Sequence, residues 1–295
     1  MPFRTILPAD LDPLQTNALL TGGIAPRPIA LASTISREGV RNLAPFSFFN
    51  AMGCNPPMVA FAPSRKGRDG TLKHTYLNAT STREFVIAAV SFAMVQQMNL
   101  AGAEYAEEVD EFVKSGLTPV PARNIQSALV AESPFQMECR LHQVVELGQG
   151  PGSGLILIGE VLCFHAREDA FRDGILQPDL LDLVGRNGGS FYTRASGAAI
   201  FSLPKATGQP IGWDALPEAL RHSSILTGND LGLLANRAEL PDLGAAERRE
   251  GDPGDAEGFE RGIQKALAQD DFSEAWRLTG RYLGIQGSGS KAEVE

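Results

Sequence analysis

The sequence predicts a mainly β fold: a barrel of short strands with helical insertions, followed by a helical extension. Short apolar runs separated by Gly/Pro turn clusters fill residues 28–166, and two capped helical stretches fall among them. Beyond about residue 200 the apolar spacing becomes helical. Strands and helices do not alternate regularly enough for a doubly wound parallel sheet.

The elements follow in order. "PIALASTI" (28–35) reads as a strand, "SREG" as a turn with Gly39 at the position that tolerates positive φ, and "VRNLAPFSFF" (40–49) as the returning strand of a hairpin. Pro45 interrupts that return, and proline cannot donate to a ladder, so the segment is expected to be irregular. "PPMVAFAP" (56–63) and "STREFVIAAV" (81–90) are further strands. Ser91 caps a helix that stops at Gly102, and "EEVDEFVKSG" (107–116) is a second helix. "FQMECRLHQVV" (135–145) alternates, with Met137, Cys139 and Leu141 on one face and Glu138, Arg140 and His142 on the other. After the hairpin loop "GQGPGSG", "LILIGEVLCFHA" (155–166) has a central strand's composition. Leu216, Leu220, Ile225 and Leu226 begin the helical spacing. An acidic linker, "GAAERREGDPGDAEG", precedes two helical stretches with Ile263, Leu267, Phe272, Trp276 and Leu283 as their apolar face. The ten C-terminal residues are expected to lack structure. Trp213 reads as a core residue.

The 295 residues carry 43% hydrophobic and 21% charged side chains, an ordinary globular composition. The net charge of −9 argues against a nucleic-acid binder. Eight acids oppose two arginines within 239–260, whereas "SRKGRDGTLK" (64–73) is net +3, a basic loop suited to a small anion. Cys54, Cys139 and Cys163 read as small buried hydrophobes in a reducing compartment. With no apolar h-region at the N-terminus and no run of membrane-spanning length, the expected setting is cytoplasmic.

There is no Walker loop, Rossmann fingerprint, GxSxG elbow or HExxH. The four histidines are dispersed without ligand spacing, so no protein-bound metal is expected. His142 reads as exposed and His165 as a satisfied structural histidine.

"APRPIALAST" (25–34), Gly39 and "NLAPFSFF" (42–49) resemble the flavin reductase-like proteins of the FMN-binding split-barrel type. The resemblance continues through "NPPMVAF", "SRKGRDGTLKHTYLNATSTREFVI", "LIGEV" and "LVGRNGGSFY" in the same order, over roughly residues 15–200. It implies a Greek-key split barrel over 15–200, followed by a helical extension (201–285) and a tail (286–295). It implies a homodimer with flavin in a groove near the subunit interface. The cofactor implied is FMN, with FAD as the alternative.

On this reading Ala44 permits close approach to a flat ring, and the Leu43 and Ala44 peptide N–H groups, freed by the irregularity at Pro45, donate to it. Asn42 and Ser47 add side-chain bonds, and Arg27, Ser33 and Thr34 lie along the ring and ribityl chain. Ser64, Arg65, Lys73 and Thr75 hold the phosphate. His74 stands where the family commonly has an acid. Gly154 or a neighbour stands where many members have a histidine that engages the nicotinamide. The resemblance therefore implies an NAD(P)H-dependent reductase that passes electrons to free flavin, a partner monooxygenase or a metal ion, with no catalytic side chain. The alternative is a flavoredoxin-like electron carrier without NAD(P)H activity.

Overall fold

The computed structural model describes residues 2–203, 205, 208–239 and 249–289. Tertiary contacts divide the chain into two units, Met1–Phe201 and Ser202–Glu295.

The first unit opens with a helix not anticipated from the sequence, α1 (Pro13–Gly23). Asp12 accepts the Gln15 N–H while Gln15 accepts the Asp12 N–H, a reciprocal cap. Then come β1 (Arg27–Pro28), β2 (Ala30–Ile35), β3 (Arg41–Phe46), β4 (Phe49–Cys54) and β5 (Pro57–Phe61), followed by α2 (His74–Thr82), β6 (Glu84–Ala89), α3 (Val95–Ala101) and α4 (Glu111–Ser115). The strand expected from residue 81 starts at Glu84, because residues 74–82 are helical. After the short pair β7 (Pro119–Val120) and β8 (Leu129–Val130) run the long β9 (Phe135–Glu146) and β10 (Leu155–Ala166). The unit ends with β11 (Phe171–Arg172), β12 (Ile175–Leu176), α5 (Pro178–Leu181), β13 (Val184–Arg186) and β14 (Tyr192–Arg194).

Seven strands form one antiparallel sheet in the order β3-β2-β6-β9-β10-β5-β4. Its edge strands, β3 and β4, are joined through only Ser47 and Phe48. Three virtual bonds span at most about 11 Å, so the sheet curls until its edges nearly meet. No ladder joins β3 to β4 among the described residues, and the curled sheet stays open along that seam.

Inside it, the Phe61 ring lies 5.5 Å from Phe46 and 5.2 Å from Phe85. Gly159 is required here, since a Cβ at that position would sit 2.4 Å from Phe85 Cζ. On the outer face, Leu31, Leu43 and Ala88 pack against Met94, Met98 and Phe112 from the α3–α4 region. Burial on both faces explains the unbroken apolar run of β2, and each large aliphatic side chain so covered contributes about 1.5–3 kcal/mol.

Several expectations are corrected. β3 is regular, in continuous register from Ala30↔Phe46 to Ile35↔Arg41. Glu138, expected on a polar face, is fully buried, because the 123–124 backbone covers it and donates to both its oxygens at 2.7 Å. Of the cysteines only Cys139 is buried, and Cys54 is exposed at a sheet edge.

The second unit contains α6 (Glu218–Arg221), α7 (Gly228–Ala235), α8 (Ala256–Leu267) and α9 (Phe272–Gly289). Its own core includes Leu220, Leu234, Phe259, Ile263 and Trp276. Trp213, expected in a core, is 46% exposed. Arg277 bridges Asp252 at 2.6 Å and Glu274 at 2.7 Å. Residues 286–289, expected to lack structure, continue α9, while 290–295 and much of the acidic linker lie outside the described residues.

Candidate cofactor site

The seam between β3 and β4 opens onto a cavity of about 880 Å³, within the size range of small-molecule sites. Its walls come from α1, the Phe46–Phe48 link, the Ser64–Arg65 segment and the loop between β9 and β10. A smaller cavity of about 130 Å³ shares Lys73 and Phe46 with it and adds Asn42, Ala44, Thr75 and Glu111.

Of the residues singled out in the sequence, Ser47, Ser64, Arg65 and Lys73 meet on the larger cavity. Asn42, Ala44 and Thr75 meet on the smaller one, again with Lys73. Ser33, Thr34 and Leu43 are fully buried and line neither. Thr34 donates to Asn42 Oδ1 at 3.2 Å and Thr75 donates to the same atom at 2.7 Å, so this layer fixes Asn42 from beneath.

Arg27 lies apart from both cavities and ties segments together. It donates to the carbonyls of Thr21 and Ile24 at the end of α1, to Asn187 O at 3.2 Å, and through Nε to Ser47 Oγ at 3.3 Å. Ser47 Oγ thus accepts, and its own hydrogen has no acceptor among the described residues.

The expectation for the β3 peptide groups is overturned. Leu43 N–H is not free; it donates to Glu111 Oε2 at 3.0 Å. Leu43 therefore points its peptide away from β2. By the alternation of antiparallel pairs, Ala44 opposite Ala32 points its N–H into the ladder. The Pro45 nitrogen points outward, where a missing N–H costs no ladder bond.

The basic segment is better prepared for an anion than its loop-like sequence suggested. Lys73 is the N-cap of α2, whose start has no side-chain cap, and the peptide N–H groups of His74 and Thr75 have no acceptor among the described residues. Such a helix start favours a phosphate. The Lys73 ammonium lies 5.2 Å over the Phe46 ring, with no carboxylate of the described residues in ion-pair range. Burial, with a smaller push from Lys66, lowers its pKa, and Glu104 partly offsets them. Arg65 donates to Gly70 O at 3.3 Å and to Glu146 at 3.4 Å, while its Nε is buried without a partner among the described residues. Ser64 is held at φ 36°, a sparsely populated conformation. An orphaned guanidinium donor, an unpaired ammonium and an uncapped helix start fit a phosphomonoester.

Sequence reasoning missed three contributors. Leu14, Asn17 and Thr21 of α1 wall the larger cavity, and a reciprocal cap at Asp12 and Gln15 was the signal for that helix. Pro151 and Gly152, read only as hairpin loop, close its far side. Glu111 lay in a stretch read only as a second helix, and no role was assigned to it.

Elsewhere, Glu138, Cys163 and His165 lie together with ligand atoms within 4.8 Å of one another. Each Glu138 oxygen already accepts two hydrogen bonds, including His165 Nε2 at 2.7 Å, so the cluster anchors the 123–124 segment. No helix among the described residues is long and apolar enough to cross a membrane.

Residues 22–186 match the family described as flavin reductase like domain, and the match falls within the first unit. An uncharacterized protein of Halalkalibacterium halodurans is 34% identical over 202 residues, 68% of this chain and 95% of the relative. The nitrilotriacetate monooxygenase component B of Bacillus cereus has a TM-score of 0.65 and 31% identity, over 69% of this chain and all of that one. A Shewanella frigidimarina structure with a split barrel domain has a TM-score of 0.58 at 24% identity, over 67% of this chain and 96% of that one, a likeness of fold.

Proposed function

The chain is a member of the flavin reductase like domain family, and on that premise we propose that it is an FMN-binding oxidoreductase reduced by NADH or NADPH. The observation that carries this reading is the phosphate-ready junction of the two cavities: Lys73, which lines both, Arg65 on the larger with its buried Nε, and the bare start of α2 on the smaller.

Arg65 and Lys73 neutralise the phosphate, and the His74 and Thr75 peptides donate to it. Ser47, its oxygen engaged by Arg27, offers its hydrogen to the ring region. Asn42, fixed by Thr34, Thr75 and Glu111, holds the strand beneath. Bound flavin supplies the redox chemistry, accepting electrons from a nicotinamide and passing them onward; the residues position it.

The reading extends to a homodimer, supported by exposed Met52 and Phe164 beside an apolar cavity of about 520 Å³. The acceptor proposed is free flavin, a metal ion or a partner monooxygenase, the last supported by the likeness to a monooxygenase component. A cytoplasmic setting, expected from the unpaired cysteines, belongs to the same proposal. A carrier lacking NAD(P)H activity is the second reading, favoured by glycine at position 154.

Titration of FMN with the protein, followed by flavin fluorescence, tests the binding. Saturable quenching at one FMN per chain is expected, and unchanged fluorescence at micromolar protein would refute it.

A further inference from the structure

A third cavity, about 220 Å³, shares Phe46 and Ser47 with the larger one. Ile29, Pro45 and Met98 add apolar lining, and Asn99 joins Arg186 and Tyr192 of the β13–β14 hairpin in its polar wall. It lies below the ~300 Å³ at which drug-sized sites begin, too small for a dinucleotide but roomy enough for one ring.

Arg186 is fixed but not neutralised. It donates to Tyr192 Oη and, at 2.6 Å, to Gly189 O, and its guanidinium carbon lies 4.8 Å from the Tyr192 ring centroid. These acceptors are neutral, and no carboxylate of the described residues reaches it, whereas Arg194 on the same hairpin pairs with Asp182 at 2.7 Å. The charge of Arg186 is felt at Arg27, which pairs with no carboxylate of the described residues and whose pKa is lowered by burial and then by Arg186. Two guanidiniums that repel each other, neither paired with a carboxylate of the described residues, make a positive potential that an anion relieves.

We propose that this cavity is a subsite for a small planar aromatic carboxylate, whose oxygens take the unused Arg186 donors while its ring lies against Phe46 and Met98. That the ligand sits beside a flavin rests on the function proposed above; the carboxylate site itself does not. Arginine's planar fork suits a carboxylate better than a point charge does.

Calorimetric titration of the full chain with benzoate, benzamide and inorganic phosphate tests this, with FMN affinity measured in parallel. Benzoate is expected to bind at least about tenfold more tightly than benzamide, and Arg186→Gln to weaken benzoate by about tenfold or more without changing FMN affinity. Arg186→Lys, which keeps the charge but not the fork, is expected to fall between them and serves if the glutamine variant misfolds. Equal binding of benzoate and benzamide would overturn the proposal, as would benzoate affinity indifferent to both substitutions. Phosphate binding as tightly as benzoate, and weakened as much by Arg186→Gln, would mark a plain oxyanion site and overturn it too. If FMN binds and benzoate does not, the subsite alone fails. If benzoate binds through Arg186 and FMN does not, the subsite stands and the flavin reading fails.

Discussion

The Glu111 carboxylate accepts the Leu43 peptide N–H at 3.0 Å, and its other oxygen accepts Asn42 Nδ2 at the same distance. One buried side chain on α4 thus holds two consecutive residues of the strand at the open seam. Asp110 beside it holds Arg41 at 2.6 Å, so α4 grips three successive β3 residues.

Replacing Glu111 with Gln leaves an amide that cannot accept at both atoms. The fold is expected to lose about 1–3 kcal/mol, read from urea unfolding. Burial, opposed by the bonds from Leu43 and Asn42, raises the Glu111 pKa above the ordinary 4.5. The native state therefore holds that proton more tightly than the unfolded chain. This contribution is complete below the unfolded pKa and is lost as pH rises through the folded one. The stability of wild type minus Glu111→Gln should fall with rising pH across the mildly acidic range; a flat difference would contradict the assignment.

Arg65→Ala and Lys73→Ala each remove a charge-assisted donor from the wall of the larger cavity. Each is expected to weaken FMN binding by about tenfold to a hundredfold with the far-ultraviolet circular dichroism unchanged. Riboflavin, which lacks the phosphate, should bind wild type and both variants alike.

Arg27→Lys keeps the charge but loses the fork that reaches Thr21, Ile24, Asn187 and Ser47. A loss of about 2–3 kcal/mol is expected. Hydrogen exchange should rise first at the end of α1 and in the 187–191 turn, and protection unchanged there would exclude the tying role.

In the second unit, Arg277→Ala strips the partner from Asp252 and Glu274. Bonds from Arg277 hold both carboxyls below their ordinary pKa values. Their stabilisation is therefore present above the unfolded values and lost as pH falls through the folded ones. Calorimetry should show one transition lowered by the substitution and by acid, while the transition of the first unit moves less. A single transition shifting as a whole would contradict separate unfolding of the units.

The hairpin at Gly39, with φ 86°, and the long β9–β10 pair were legible because period-two patterning and turn residues agree there. The residues of the basic segment were legible as an anion site, but the helix that aims them was not, because "HTYLNATST" has little apolar periodicity and α2 takes its stability from packing Tyr76 and Ala79 into the core. Pro45 misled the reading of β3 because a sequence does not show which side of an edge strand faces its neighbour. Glu138 read as a polar-face acid and Glu111 was not singled out, since burial of a carboxylate depends on donors brought by segments distant in sequence.

The most direct test of the central claim is anaerobic titration of the FMN-loaded chain with NADH and with NADPH, followed through the visible flavin band. Prompt, stoichiometric bleaching by at least one of them is the predicted result. A flavin that stays bound and oxidised under both would contradict a nicotinamide-dependent reductase and leave the electron carrier.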